Sequence, residues 1–164
     1  MQRGRYLLPM RRIWLLTLVV MISMAGCDSD QNLPIYGTYT MDELIYHSSL
    51  NPETYEQKKT QLEGAQFIIK EKEFKVITPE STYENTKPSY ETRKMEEELI
   101  DQFQKATSDM VAITDYKYKY QYEVYDDKAK TNYRIYLMDD ELWIAAYTVT
   151  ASGEETILDL IRLK

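Results

Sequence analysis

Hydrophobic and polar positions alternate with a period of two over most of this chain, and each departure from that rhythm marks a boundary. Tyr36–Tyr46, rich in Tyr, Thr and Ile, reads as a first strand. Asn51 followed by Pro52 predicts a helix start, with Gly64 as its stop. Ala65–Lys70 and Glu73–Pro79 alternate around Phe67, Ile69, Phe74 and Val76 and predict a hairpin, followed by a loop over 80–89. The rhythm then changes. Met95, Leu99, Phe103 and Ala106, with Ile100 beside them, recur at helical spacing and predict a helix over 90–107 capped by Ser89.

The two-residue period returns at Tyr116–Val124. Tyr116, Tyr118, Tyr120 and Tyr122 alternate there with Lys117, Lys119, Gln121 and Glu123, which sets the phenols on one strand face and the polar groups on the other. Further strands follow at 132–138, through Tyr133, Ile135 and Leu137, and at 141–149 and 156–163, separated by turns at 126–131, 139–140 and 152–153. Trp143 and Tyr147 share a face of a strand that is apolar on both sides, so they either line the interior or cover the outside. About seven antiparallel strands with an apolar face must protect their edges. A mainly β fold follows: a small up-and-down barrel with one or two helices or, alternatively, an α+β curled antiparallel sheet packed on the helix at 90–107.

The apolar run Ile13–Ile22 obeys neither period. Arg3, Arg5, Arg11 and Arg12 precede it without an acid, and a helix from Ile13 to Gly26 would rise about 21 Å, less than a bilayer core of about 30 Å. This is the pattern of a cleavable leader, residues 1–26. Met24-Ala25-Gly26-Cys27 closes it, and Cys27 is the only cysteine of the chain. These four residues resemble the bacterial lipobox, in which the cysteine becomes the first mature residue and takes a diacylglyceryl group and, usually, a third acyl chain such as palmitate. The resemblance implies a membrane lipoprotein on the extracytoplasmic face of a bacterial envelope. At about 0.8 kcal/mol per buried methylene, two or three chains hold a protein on a bilayer. Asp28 resembles an inner-membrane retention signal in Gram-negative bacteria and has no such meaning in Gram-positive ones. Residues 27–34 then form a lipidated tether, whose six-residue leash Asp28–Leu33 spans about 20 Å at most, and 35–164 the domain.

Removing the leader leaves 138 residues with sixteen basic side chains against 27 acidic ones, a balance of −11. Such a surface disfavours nucleic acid and anionic headgroups and would attract a basic protein partner. With Cys27 acylated there is neither a disulfide framework nor a thiolate metal site. Glu96-Glu97-Glu98 point 100° apart on a helix and read as a solvated face rather than a metal site. His47 beside Ser48 is the nearest approach to a nucleophile and base, and adjacent loop side chains rarely meet that geometry. No cofactor motif and no catalytic constellation is evident, and the expectation is a protein that is not an enzyme.

Gly37-Thr38-Tyr39 is similar to the Gly-x-Trp motif of the lipocalin and calycin group, with Tyr in place of Trp, and Thr114-Asp115-Tyr116 matches that group's second motif. Arg162, in the last predicted strand, follows these two motifs in the order of the family's arginine, which packs on the ring of the first motif, though four strands rather than about two separate it from the second. The resemblance implies a small barrel and gives these residues structural roles. Function is then expected inside the barrel, where Tyr116, Tyr118, Tyr120, Tyr122, Tyr133 and Trp143 would bind a small lipophilic or aromatic ligand, or would simply fill the core. The alternative is a protein-interaction module, an inhibitor or accessory subunit, using the acidic surface.

Overall fold

The computed structural model describes residues 33–97, 100, 103, 117–139 and 141–164. Cys27, most of its tether, and Thr114, Asp115 and Tyr116 lie outside these residues. Nine strands and one helix are defined: β1 (Gly37–His47), α1 (Tyr55–Leu62), β2 (Gln66–Lys70), β3 (Glu73–Ile77), β4 (Thr82–Asn85), β5 (Pro88–Lys94), β6 (Tyr120–Asp126), β7 (Ala129–Leu137), β8 (Leu142–Val149) and β9 (Glu155–Leu163). Their spatial order is β4-β3-β2-β1-β9-β8-β7-β6-β5, with every pair antiparallel. This is an up-and-down meander joined end to end by β1 and β9. It is not closed into a barrel, because β4 and β5 are the two edges of one curled sheet.

The curl originates in β1. Its first residues, Gly37–Thr40, pair with β2, and its remainder, Met41–His47, pairs with β9. Register shifts between Met41 and Glu43 and between Leu44 and Tyr46 bend the strand at that handover, as bulges do. The inner face buries Phe67, Ile69, Phe74, Val124, Ile135 and Ile144 in one apolar cluster fed by both halves of the sheet. A second cluster, around Trp143, Tyr136, Met138, Ile157 and Leu160, lies on the outer face under Met95 and Phe103. Strands β8 and β9 are therefore apolar on both faces because each face has its own cover.

The predicted helix at 90–107 needs correction at its start. Pro88–Lys94 is strand β5, paired residue for residue with Asp126–Tyr120 of β6, so Ser89 caps nothing. Seven cross-strand pairs outweigh the local helical preference of the segment, and Pro88 stands at the first position of an edge strand, where its missing N–H costs no ladder bond. Helical backbone begins later, at Glu97, Ile100 and Phe103, and Ile100 and Phe103 pack on the outside of the sheet. In α1 the cap is Thr54 rather than Asn51: its hydroxyl accepts from Gln57 N and the Gln57 side chain accepts from Thr54 N, a reciprocal capping box. The Leu62 side chain of α1 enters the inner cluster, so the helix covers part of the inner core between β1 and β2.

Candidate functional site

The tyrosine ladder divides between the two faces. Strand β6 begins at Tyr120, and Tyr120 and Tyr122 are neighbours with ring centroids 6.4 Å apart. Tyr122 is only 2 % exposed in the inner cluster and acts as core. Tyr118 precedes the strand, and its ring meets Phe103 edge-on at 5.6 Å in the outer cluster. Trp143 also faces outward, fully buried opposite Tyr136, with Nε1 donating to Glu141 Oε2 at 2.8 Å. Neither Tyr118 nor Trp143 therefore joins the inner face with Tyr122 and Tyr133. A strand apolar on both sides gives no parity from which Trp143 could have been placed.

Tyr133 instead leads to an aromatic group that the sequence does not single out. Strands β4 and β5 follow one another across the connection at 86–87 without pairing, and each carries a tyrosine, Tyr83 and Tyr90, at the seam so defined. Tyr83 of β4 sits 5.2 Å from Tyr133 of β7 and 6.0 Å from Phe74 of β3, and Phe74 and Tyr133 are 5.4 Å apart. Tyr90 of β5 meets Tyr36 edge-on at 5.8 Å and donates its hydroxyl proton to Lys70 O at 2.9 Å. Buried Asn85 fixes the corner: its Nδ2 donates to Tyr125 O, and its Oδ1 accepts from Lys87 N, each at 2.9 Å. The rings of Tyr36, Tyr83, Tyr90 and Tyr133 are half-buried against the inner cluster as two pairs, and Tyr83 and Tyr90 belong to the two edge strands. Burial raises the phenol pKa of all four, most at Tyr90 and with help at Tyr133 from the nearby Asp159.

That shift has a sign that can be measured. Below an ordinary phenol pKa of about 10 these groups are neutral in both folded and unfolded chains and stability is unchanged; above it the unfolded chain ionises first, and each retained proton costs up to about 1.4 kcal/mol per pH unit. Spectrophotometric titration of phenolate is expected to resolve a class of tyrosines that ionise only together with unfolding. A single smooth titration near the free-tyrosine value in the folded protein would contradict the packing.

The polar face of β6 is not solvated either. Glu123, 4 % exposed, lies opposite Arg134 of β7, and Lys130 Nζ bridges Glu123 and Glu155 at 3.2 Å each. Arg134 pairs with Glu155 and covers the Tyr147 ring at 3.9 Å, and Tyr147 shares a hydroxyl hydrogen bond with Tyr136. Tyr125 OH lies 3.0 Å from both Glu91 and Glu123, and these carboxylates push its pKa up to about 12. Positive and negative groups alternate across β5, β6, β7 and β9, so the network ties strands together.

Among the residues of the lipocalin-like motifs, Tyr39 folds its ring over Gly37, where an added Cβ would come within 2.8 Å of it, and donates its hydroxyl to Ile35 O at 3.1 Å. Arg162 does not complete that arrangement. It points to the opposite side, onto Asp42 at 2.9 Å and Glu43 at 2.7 Å. His47 pairs with neither Ser48 nor any other hydroxyl: Nδ1 faces Asp159 Oδ1 at 2.7 Å and Nε2 faces Glu53 O at 2.9 Å, while Ser48 Oγ accepts from Leu50 N. Among the described residues no group of three or more His, Cys, Asp or Glu is placed to hold a metal ion, and no helix is long and apolar enough to cross a membrane. Comparison with protein-family models, with curated proteins and with solved structures gives no match.

Proposed function

We propose that this chain is a lipid-anchored extracytoplasmic binding protein, held to the membrane through Cys27, that takes a small aromatic or amphipathic molecule against the tyrosines of the β4–β5 seam. The seam carries the reading. There, among the described residues, two consecutive strands do not pair, and each contributes a half-buried phenol to a ring pair, Tyr83 with Tyr133 and Tyr90 with Tyr36. Aromatic rings with hydroxyl handles hold flat or amphipathic molecules by stacking and hydrogen bonding. A tether of a few residues would keep the domain close to the bilayer, where such molecules partition. Native mass spectrometry of the delipidated domain after exposure to a membrane extract tests the proposal. A bound small molecule is expected, and Tyr83→Ala should weaken its binding about tenfold through the loss of a stacking partner. An extract that leaves the protein empty would overturn it.

Anchoring is checked separately. Cys27→Ser is expected to abolish incorporation of labelled palmitate and to release the domain from membranes, and persistent labelling would contradict it. A second reading, an interaction module for a basic protein, is supported by the acidic balance of the mature chain and by the backbone edges of β4 and β5, which no other strand of the sheet pairs. Salt-sensitive recovery of a basic partner in a pull-down would favour this reading.

A further inference from the structure

The segment between β1 and β2 is held down by one histidine whose two ring nitrogens both face oxygen atoms. His47, the sole histidine of the chain, ends β1 with a side chain that is 4 % exposed. Its Nδ1 faces the Asp159 carboxylate on β9, and its Nε2 faces the backbone carbonyl of Glu53, in the loop that leads into α1. A carbonyl oxygen only accepts and an ionised carboxylate only accepts, so both ring nitrogens must donate. Imidazolium does this. A neutral ring that keeps its proton on Nδ1 for Asp159 turns a lone pair toward Glu53 O.

Few other contacts hold this segment. Lys58 of α1 reaches Asp159 Oδ2 at 3.4 Å and Glu53 Oε2 at 3.7 Å, Tyr55 OH donates to Leu44 O at 2.6 Å, and Leu62 is the helix's only buried side chain. Gln61 Nε2 donates to Glu53 Oε1 at 2.7 Å, within the segment itself. The charged and titratable groups facing His47 are thus Asp159 from β9, Lys58 and the Glu53 carboxylate from the α1 side, and Tyr133 of β7, which lies near Asp159.

We propose that the Glu53 loop and α1 form a latch on the end of the curled sheet, closed by protonated His47 and loosened when that ring loses a proton. The sign follows from the bond lost. The latch is shut at low pH, and as pH rises the repulsion between the Nε2 lone pair and Glu53 O weakens the loop first, while β1 and β9 keep their ladder. Histidine is the side chain whose charge changes within the range of ambient pH. Leu62 enters the inner cluster, so loosening α1 uncovers apolar core beside Ala65 and Phe67. This device rests on the fold alone and stands or falls independently of any ligand at the seam.

Hydrogen exchange at single-residue resolution, corrected for intrinsic rates, tests it at about pH 5.5 and about pH 8.5. Amides of residues 55–62 are expected to lose protection about tenfold at the higher pH, the worth of one charge-assisted hydrogen bond, with amides of β8 and β9 unchanged. His47→Gln should remove the pH difference. Lys58→Met, which leaves the histidine in place, should lower protection of the same amides at both pH values and keep the difference. Nitrogen-15 shifts of the single imidazole should show both ring nitrogens protonated in the closed form. Equal protection of 55–62 at the two pH values, or a pH difference that survives in His47→Gln, would overturn the latch.

Discussion

Replacing Trp143 with alanine is expected to destabilise the domain by about 3–5 kcal/mol, the range for emptying a large fully packed aromatic site. The indole is completely buried on the outer face, against Tyr136, Met138 and Leu160, beneath the cover that includes Met95 and Phe103. Its removal would separate the sheet from that cover as well as leave a void. With a typical urea dependence of about 2 kcal/mol per molar for a small domain, the unfolding midpoint should fall by about 2 M. Trp143→Phe should cost less, because the ring is smaller but still apolar. A Trp143→Ala protein with an unchanged midpoint would mean that the indole lines a solvent-filled space, as a ligand-binding role requires.

A comparable loss, about 3–5 kcal/mol, is expected for Asp159→Ala. Asp159 is 5 % exposed and receives His47 on one oxygen and Lys58 on the other. Deleting the carboxylate leaves the Lys58 ammonium without that counter-charge and the buried His47 Nδ1 without its partner. Asp159→Asn keeps an oxygen for His47 and removes the charge, so it should fall between wild type and alanine. Thermal or urea unfolding of the three proteins at one pH gives the order directly. An Asp159→Ala midpoint equal to wild type would show that the cluster contributes no net stability.

Much of this architecture is legible along the chain, and the exceptions share a cause. Strands β2, β3 and β7 stand close to where alternation predicts them, because each buries one face against the inner cluster, whereas β8 and β9, apolar on both faces, are legible from the Asp, Ser and Gly of the turns before them. Strand β5 is legible from neither. Its inward positions hold little more than Pro88 and Tyr90, and only pairing with β6 reveals it. Strand β4, four residues long, offers even less pattern. Tyr118 extends the tyrosine alternation past the end of its strand because an aromatic ring gains from burial on either side of the sheet, and the outer cluster takes it. For Glu123 the alternation shows only a place on the face opposite the phenols; in the fold it is buried, with Arg134 and Lys130 arriving from β7. The seam itself is a property of topology. No local pattern distinguishes two edge strands that share a connection from two strands that pair.

The pairing of β1 with β9 also sets a clock. Asp42 and Arg162 are separated by 120 positions, and the ladder around them joins the earliest strand of the domain to the last. Contacts of that sequence separation are formed late, because the intervening chain must first be gathered in. A chain made from its N-terminus therefore carries β1 with one edge vacant through nearly the whole of synthesis. During that interval Met41–His47 is an unpaired edge of the kind that recruits foreign strands. The bulges and the acidic pair Asp42-Glu43 occupy that edge, where they hinder pairing with the wrong strand until Arg162 arrives to meet them.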